Sequence, residues 1–151
     1  MVSVFKNVLV ICAGNICRSP TGEHLLRRNL AGSGIRVSSA GLTAMVGHPF
    51  ERNALEMLQR HGQQPHVHTA RQLTPQLLQA SDLVLVMEQR QLQDVIRLSP
   101  VSRGKTFLLG KWQNEREIPD PYRRGPAAFE HAYALIEEGV KAWSQRLQPQ
   151  R

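Results

Sequence analysis

Cysteine is scarce in this chain of 151 residues, and its two copies, Cys12 and Cys17, lie within one short segment. Two such cysteines exclude the disulfide framework that stabilises many small secreted domains. Long apolar runs are missing too, since none approaches the ~18 residues of a membrane-spanning helix. Residues 1–6 lack the regions of a signal peptide. We therefore expect a cytoplasmic protein in a reducing environment, with no membrane insertion.

Aromatic residues make up only 5% of the sequence, while the net charge is +7. Proteins that bind nucleic acids more often combine a basic stripe with aromatic side chains. Here the basic residues form short clusters, such as Arg27-Arg28 and Arg123-Arg124, without a long basic tract. We interpret the charge as a solubilising surface, and predict no nucleic-acid partner. Two alternatives remain: steering of an acidic or phosphorylated partner, and a nucleic-acid-binding domain that rests on the charge alone.

One segment carries the chemistry, and it reads Cys12-Ala13-Gly14-Asn15-Ile16-Cys17-Arg18-Ser19. It lies between an apolar run and a helix-compatible stretch, as in a phosphate-binding nucleophile loop. Loop N–H groups and the positive end of the helix dipole then converge on one anion. Arg18 holds two phosphate oxygens with its planar guanidinium. The same field favours a thiolate at Cys12, facing the phosphorus atom.

The neighbouring residue types favour this loop over an ordinary buried cysteine. Gly14 permits close backbone approach or a positive φ. Asn15 tolerates the left-handed conformation that an anion-binding turn needs. Ser19 is predicted to cap the following helix, with Pro20 at its first position.

Strand and helix patterns alternate along the chain. Strands are predicted at residues 7–12, 35–40, 83–87 and 106–109, and helices at 20–30, 51–61, 75–80, 89–98 and 127–147. The helix at 89–98 is expected to turn Leu92, Val95, Ile96 and Leu98 inward. The last helix has one apolar stripe for packing on a sheet, made of Phe129, Tyr133, Ile136, Val140, Trp143 and Leu147.

This alternation predicts a single α/β domain over residues 1–151. We expect three layers, with a four-stranded parallel sheet and helices on both of its faces. Ligands of such sheets bind beyond the carboxyl ends of the strands. The loop that begins at Cys12 follows the first strand at that end.

A proton donor is expected in the stiff segment Ile118-Pro119-Asp120-Pro121-Tyr122. Transfer of a phosphoryl group from an ester to a thiolate leaves an oxygen that needs a proton. Asp120 alone would be read as part of a turn. Beside the Cys12 loop, it is the best candidate for the acid, and Tyr122 is a candidate wall for an aromatic leaving group.

Together these motifs resemble the low-molecular-weight protein tyrosine phosphatases over almost the whole chain. The resemblance rests on residues 10–20, 38–41, 70–73, 82–88 and 120–122. Within that family, residues 40–42, 45–47 and 108–123 look most like the bacterial capsule and exopolysaccharide branch. The resemblance implies a phosphotyrosine protein as partner, namely the tyrosine-rich tail of a membrane-bound tyrosine autokinase.

The resemblance also implies a role for each loop residue. Cys12 is the expected nucleophile, Arg18 the phosphate clamp, and Asp120 the general acid and later base. Ser19 is expected to donate a hydrogen bond to the Cys12 sulfur, and Asn15 to brace the loop with His68. The phosphoryl oxygens are expected to bind the N–H groups of Ala13, Gly14, Asn15, Ile16, Cys17 and Arg18. No metal or other cofactor is expected.

The substrate pocket departs from the better-known branches of the family, which carry an aromatic residue after Ser-Ala. Here Leu42 or Met45 is expected to replace that wall, beside Tyr122. Related phosphoarginine phosphatases tend to carry threonine where this chain has Ile16, an apolar residue that suits an aryl ring. A phosphoarginine phosphatase and a non-catalytic phosphotyrosine-binding module are the alternatives. Arsenate reductases of this fold need two further cysteines, which the chain lacks.

Cys17 has two interpretations of about equal weight. It packs under the loop, or it captures an oxidised Cys12 as a reversible disulfide.

Overall fold

Four parallel strands form one sheet in a computed structural model that describes residues 5–148. The strands are β1 (Asn7–Cys12), β2 (Arg36–Gly41), β3 (Leu83–Val86) and β4 (Thr106–Leu108). Their spatial order is β2-β1-β3-β4. Cys12 pairs with Gly41, so that β1 and β2 end at the same edge of the sheet. Residues 1–4 and 149–151 of the predicted domain lie outside the described residues.

Helices cover both faces of the sheet, as predicted. They are α1 (Arg18–Asn29), α2 (Arg52–Arg60), α3 (Pro75–Gln79), α4 (Gln89–Leu98) and α5 (Pro126–Leu147). Helices α1, α2 and α5 pack together over one face. The other face is covered by α3 and α4. None of these helices is long and apolar enough to cross a membrane.

The alternation of side chains along β1 divides the core into two layers. Val8 and Val10 point to the layer that contains α1 and α5, whereas Leu9 and Ile11 point to the α4 side. Because both faces are covered, every position from 8 to 12 is buried. The predicted stripe of α5 is buried along its whole length. Burial of each such large apolar side chain contributes about 1.5–3 kcal/mol.

The structure corrects two predictions about helix ends. Helix α1 begins at Arg18, with Cys17 at the N-cap position and no capping side chain. The predicted cap at Ser19 is wrong because Ser19 lies inside the helix, where its hydroxyl bonds to Cys12 instead. Leu98 does not turn inward: it is the last residue of α4 and is 42% exposed. A 3-10 helix, Pro100–Lys105, was not predicted.

Candidate active site

A cavity of about 200 Å³ opens at the carboxyl edge of the sheet, between β1 and the segment before α5. It brings together the three side chains to which the sequence assigns chemistry, Cys12, Arg18 and Asp120. The other residues that line it present mainly apolar side chains or backbone atoms. They are Ala13, Gly14, Ile16, Cys17, Thr43, Met45 and Tyr122. Asn15 and Ser19 are fully buried behind this lining.

All backbone carbonyls from Cys12 to Cys17 accept hydrogen bonds from the protein around the loop. Five of these bonds come from backbone N–H groups, over 2.9–3.2 Å, and the donors are Thr21, Leu42, Thr43, Met45 and Glu51. The Asn15 carbonyl accepts from His68 Nε2 at 2.6 Å, and the Cys17 carbonyl from Thr21. In a trans peptide the next N–H points opposite to the carbonyl. The N–H groups of residues 13–18 therefore face into the loop.

Asn15 takes the left-handed backbone conformation that the sequence predicted, with φ 59°. Gly14 does not have a positive φ, and an added Cβ would lie an ordinary 3.7 Å from Ile16 and Met45. The close approach occurs instead at Gly41, where a Cβ would meet the Ala13 carbonyl oxygen at 2.5 Å. Gly41 thus lets β2 lie against the base of the loop.

A chain of hydrogen bonds leads from Glu23 to the Cys12 sulfur. The Asn15 side-chain amide donates to Ser39 Oγ at 2.9 Å and to Ser19 Oγ at 2.8 Å. Its oxygen accepts from the Arg71 N–H at 2.9 Å, which fixes the orientation of the amide. The Ser39 hydroxyl donates to Glu23.

Ser19 Oγ lies 2.9 Å from Cys12 Sγ. An ionised sulfur has no hydrogen to give, so with a Cys12 thiolate the Ser19 hydroxyl is the donor. The Asn15 N–H lies 3.3 Å from the same sulfur atom and donates to it. Both donors favour the ionised sulfur, because a hydrogen bond to the charged form stabilises that form.

The Arg18 side chain is 2% exposed and is held by groups that the sequence did not identify. Its Nη1 donates to the Glu88 carboxylate and to the Ile118 carbonyl, at 2.8 Å from the latter. Nη2 lies 3.7 Å from Asp120 Oδ2. Glu88 follows an entirely apolar strand at the edge where ligands bind. A charge at that position was the available signal for a site residue.

Asp120 reaches the cavity from a loop that two prolines restrict. Its Oδ1 accepts from the Tyr122 N–H at 3.1 Å, which closes a local turn, and its side chain is about half exposed. Pro121 is buried and Tyr122 lines the cavity. The predicted acid therefore lies on the solvent side of Arg18, where a leaving group would depart.

The Leu42 side chain does not line the cavity. It packs against the opposite core layer, with Leu73 and Leu78 among its neighbours. The wall on this side consists of Met45, as predicted, and Thr43, which the sequence analysis missed. Leu42 and Thr43 lie in the turn that follows β2, where only Thr43 of the two lines the cavity.

Cys17 is buried, and its thiol lies 4.0 Å from the Glu51 carboxylate. Burial, followed by the negative charges of Cys12 and Glu51, raises the pKa of the Cys17 thiol well above its usual range. At neutral pH this thiol is protonated. The two cysteines of the loop therefore differ in their surroundings, since only the Cys12 sulfur has the Ser19 donor.

The histidines do not form a metal centre. His68 binds the Asn15 carbonyl and packs against Phe50, so that it braces the loop. Within residues 5–148, no group of three or more histidine, cysteine, aspartate or glutamate side chains has the arrangement of a metal site.

Residues 7–151 match the family model described as low molecular weight phosphotyrosine protein phosphatase. The chain is 43% identical to the low molecular weight protein-tyrosine-phosphatase Etp of Escherichia coli K12. That alignment spans 143 residues and covers 95% of both chains.

Two solved structures of relatives are similar to this protein over almost the whole chain. The tyrosine phosphatase Wzb of Escherichia coli K30, in complex with sulphate, has 43% identity and a TM-score of 0.90. Wzb of Vibrio vulnificus, in complex with benzylphosphonate, has 41% identity and the same TM-score of 0.90. In each case the match covers 95% of this chain and 99% of the other.

Proposed function

Since the chain belongs to the low molecular weight protein-tyrosine-phosphatase family, we propose that it hydrolyses phosphotyrosine in proteins through a cysteinyl-phosphate intermediate. The observation that carries this proposal is the direction of the loop backbone. Its carbonyls point outward and accept hydrogen bonds from the surrounding protein, so that the N–H groups surround the point above Cys12. A dianion at that point accepts hydrogen bonds from these N–H groups, of which only that of Asn15 already has an acceptor among the described residues, the Cys12 sulfur.

Binding of the phosphate needs positive charge, which the chain supplies itself. The N–H groups of residues 13–18 and the uncapped first turn of α1 point at the anion. The Arg18 guanidinium adds a full charge and two parallel donors to the equatorial oxygens. These groups do the work that metal ions do in other phosphoryl-transfer enzymes.

The first chemical step forms the S–P bond and breaks the P–O(aryl) bond. The Cys12 thiolate attacks the phosphorus in line, with Ser19 holding the sulfur from behind. The electron pair of the broken bond stays on the phenolic oxygen, and Asp120 gives it a proton. The products are the cysteinyl-phosphate and a substrate protein with an unphosphorylated tyrosine.

The second step regenerates the thiolate. Asp120, now a carboxylate, takes a proton from a water molecule that attacks the phosphorus. The S–P bond breaks, and its electron pair returns to Cys12, where the Ser19 hydroxyl stabilises the leaving sulfur. Phosphate leaves, and Asp120 holds the proton for the next cycle.

The walls of the cavity support an aryl phosphate as substrate. Ile16, Met45 and Tyr122 present apolar or aromatic surface above the loop. A phenyl ring packs favourably on such surface, whereas the guanidinium of phosphoarginine finds no carboxylate on these walls other than Asp120. The benzylphosphonate complex of the Vibrio vulnificus relative, an aromatic phosphonate, supports the same substrate class.

We also propose that the physiological substrate is the phosphorylated tail of a tyrosine autokinase that controls polysaccharide production, on the cytoplasmic side of the membrane. The similarity to Etp and Wzb supports this assignment. So do the segments at 40–42, 45–47 and 108–123, which resemble that branch of the family.

The test is hydrolysis of para-nitrophenyl phosphate with EDTA and reductant, wild type beside Cys12→Ser. We expect turnover in the wild type and none in the variant. Asp120→Asn should slow the hydrolysis of phenyl phosphate, whose phenolate is a poor leaving group, far more than that of para-nitrophenyl phosphate. Equal slowing would remove Asp120 from the acid role.

Failure of a folded, reduced wild type to turn over any aryl phosphate would leave the binding-module alternative. Faster hydrolysis of phosphoarginine than of phosphotyrosine peptides would favour the phosphoarginine alternative.

A further inference from the structure

Arg123 has a backbone conformation that arginine rarely adopts. Its φ is 62°, in the left-handed region. The Arg124 N–H donates to the Pro121 carbonyl at 3.0 Å, which closes a four-residue turn with Arg123 in third place. Glycine or asparagine is usual at such a position. This conformation costs free energy, and strained residues cluster at functional sites. The strain in the loop of Asp120 therefore indicates a function for the Arg123 side chain.

The Arg123 side chain lies at the rim of the cavity. Its guanidinium carbon is 5.2 Å from the centre of the Tyr122 ring, and Tyr122 lines the cavity. A cation at this distance is attracted by the ring, so the guanidinium stays close to the cavity wall.

This rim charge has no anionic partner in the part of the chain that the structure describes. Among residues 5–148, no carboxylate forms an ion pair with Arg123 or Arg124. Asp120, the acid of the same loop, is close to Arg18 and accepts from the Tyr122 N–H instead. The opposite wall, Thr43 and Met45, is uncharged.

We propose that Arg123 is a specificity residue, which binds an anionic side chain next to the phosphotyrosine of the substrate. The proposal rests on the proposed function, because it places a phosphotyrosine in the cavity. The chain on either side of that residue then leaves the cavity over its rim. A carboxylate or a second phosphate within a few residues of the phosphotyrosine meets the guanidinium there, and a neutral side chain does not.

The expected size of the effect is that of an exposed ion pair. Such pairs contribute at most about fivefold to an equilibrium or rate ratio. We expect about a threefold higher kcat/KM at low salt for a phosphotyrosine peptide with glutamate at the preferred flanking position than for its alanine counterpart. This preference should shrink in 0.5 M salt, since ions screen exposed charges over about 4 Å at that concentration.

The test compares the ratio of kcat/KM for the two peptides in wild type, Arg123→Gly, Arg123→Lys and Arg103→Ala. Peptides carry glutamate, alanine or a second phosphotyrosine at each of the two positions on either side. Glycine suits the left-handed backbone, so Arg123→Gly removes the charge while the turn is kept. Arg103→Ala removes one charge from the 3-10 helix before β4, at the opposite edge of the sheet.

We expect the ratio to fall to about one in Arg123→Gly, and to stay near the wild-type value in Arg123→Lys and Arg103→Ala. If glutamate and a second phosphotyrosine both raise kcat/KM over the alanine peptide, Arg123 binds anions in general. If only one of them does, that side chain is the group that Arg123 binds.

Para-nitrophenyl phosphate, which has no flanking residues, separates the two proposals. If the wild type hydrolyses it but shows no difference between glutamate and alanine peptides, the role of Arg123 is refuted and the proposed function stands. If Arg103→Ala loses the preference as well, net charge and not Arg123 is responsible. If the wild type hydrolyses no aryl phosphate at all, the proposed function itself fails.

Discussion

The Glu88 carboxylate holds the buried Arg18 guanidinium through Nη1, on the side away from Asp120. Nη1 also donates to the Ile118 carbonyl, so that two fixed acceptors define the plane of the guanidinium. The other N–H groups of Arg18 take no part in these two bonds, and in the proposed function they bind the phosphate. Glu88 is then expected to act through Arg18 as a positioning residue.

Glu88→Gln is expected to lower kcat about tenfold, about 1.4 kcal/mol in the barrier, without raising KM. Glutamine keeps an acceptor but loses the charge, so Arg18 is less well oriented while its attraction for phosphate does not weaken. Steady-state kinetics and phosphate inhibition measure the two effects separately. Arg90→Gln is the control, because Arg90 is exposed and lies 3.6 Å from the other Glu88 oxygen. A similar loss in that control would argue against the role of Glu88.

Asn15 combines a left-handed backbone with three side-chain hydrogen bonds. Asn15→Gly keeps the conformation and loses the bonds, and we expect a loss of about 2 kcal/mol in the free energy of unfolding. Asn15→Ala adds the backbone strain and should lose about 1 kcal/mol more. Urea denaturation of both variants, in parallel with the wild type, measures this difference. Alanine as stable as glycine at this position would show that strain does not contribute.

The Cys17 thiol should resist alkylation in the folded protein. Its pKa is raised by burial and by the nearby charges of Cys12 and Glu51, so it carries almost no thiolate near neutrality. We expect iodoacetamide at pH 7 to modify Cys12 selectively, and modification of Cys17 to follow only with unfolding or at high pH. Peptide mass spectrometry after timed quenching gives both rates. Equal rates would contradict the protonated, buried state of Cys17.

The two interpretations of Cys17 predict different recoveries after oxidation. If Cys17 captures oxidised Cys12, Cys17→Ser should regain less activity than the wild type after peroxide and then thiol treatment. Equal recovery would assign Cys17 to packing alone.

Asp82 should contribute stability that depends on pH. Its Oδ2 accepts from the N–H groups of Lys6 and Asn7, both at 2.8 Å, and these bonds hold the pKa of the carboxyl below its ordinary value. A depressed pKa in the folded state means that the stabilisation is complete above the unfolded pKa. It is lost as pH falls through the folded value.

Asp82→Asn is accordingly expected to lower Tm at pH 7 by about 1–3 °C, a small effect because the carboxylate is exposed. The difference should close as the pH falls through the lowered pKa of Asp82, because the wild-type carboxyl then becomes protonated too. Thermal unfolding between pH 2.5 and 7 measures it, with Glu130→Gln on α5 as the exposed control. A constant difference at all pH values would exclude the ionised carboxylate as its source.

Local patterns in the sequence predicted the layers of the fold and the position of the loop that begins at Cys12. The buried strand before Cys12 and the stripe from Phe129 to Leu147 depend on neighbours along the chain, and both are confirmed. Asp120 was placed by the need for an acid, and the cavity does contain it.

Long-range partners could not be predicted in this way. Glu88 is 70 positions from Arg18, and Ser39 is 24 from Asn15, so only the folded sheet brings them together. The predicted cap at Ser19 failed for a different reason, since its partner Cys12 is only seven positions away and was expected from the family resemblance. Its hydroxyl has a better partner in the Cys12 sulfur, which no helix rule takes into account.

In the proposed function the phosphate is bound by the loop backbone and Arg18, whereas the walls above it consist of other side chains. Replacement of Ile16, Met45 or Tyr122 is therefore expected to alter which group carries the phosphate without removing a single N–H from the loop. Such a division lets evolution exchange one leaving group for another while the capture of phosphate stays intact. A search for variants with new substrates should accordingly randomise the residues of the walls. It should keep the groups that donate hydrogen bonds to the carbonyls of residues 12–17.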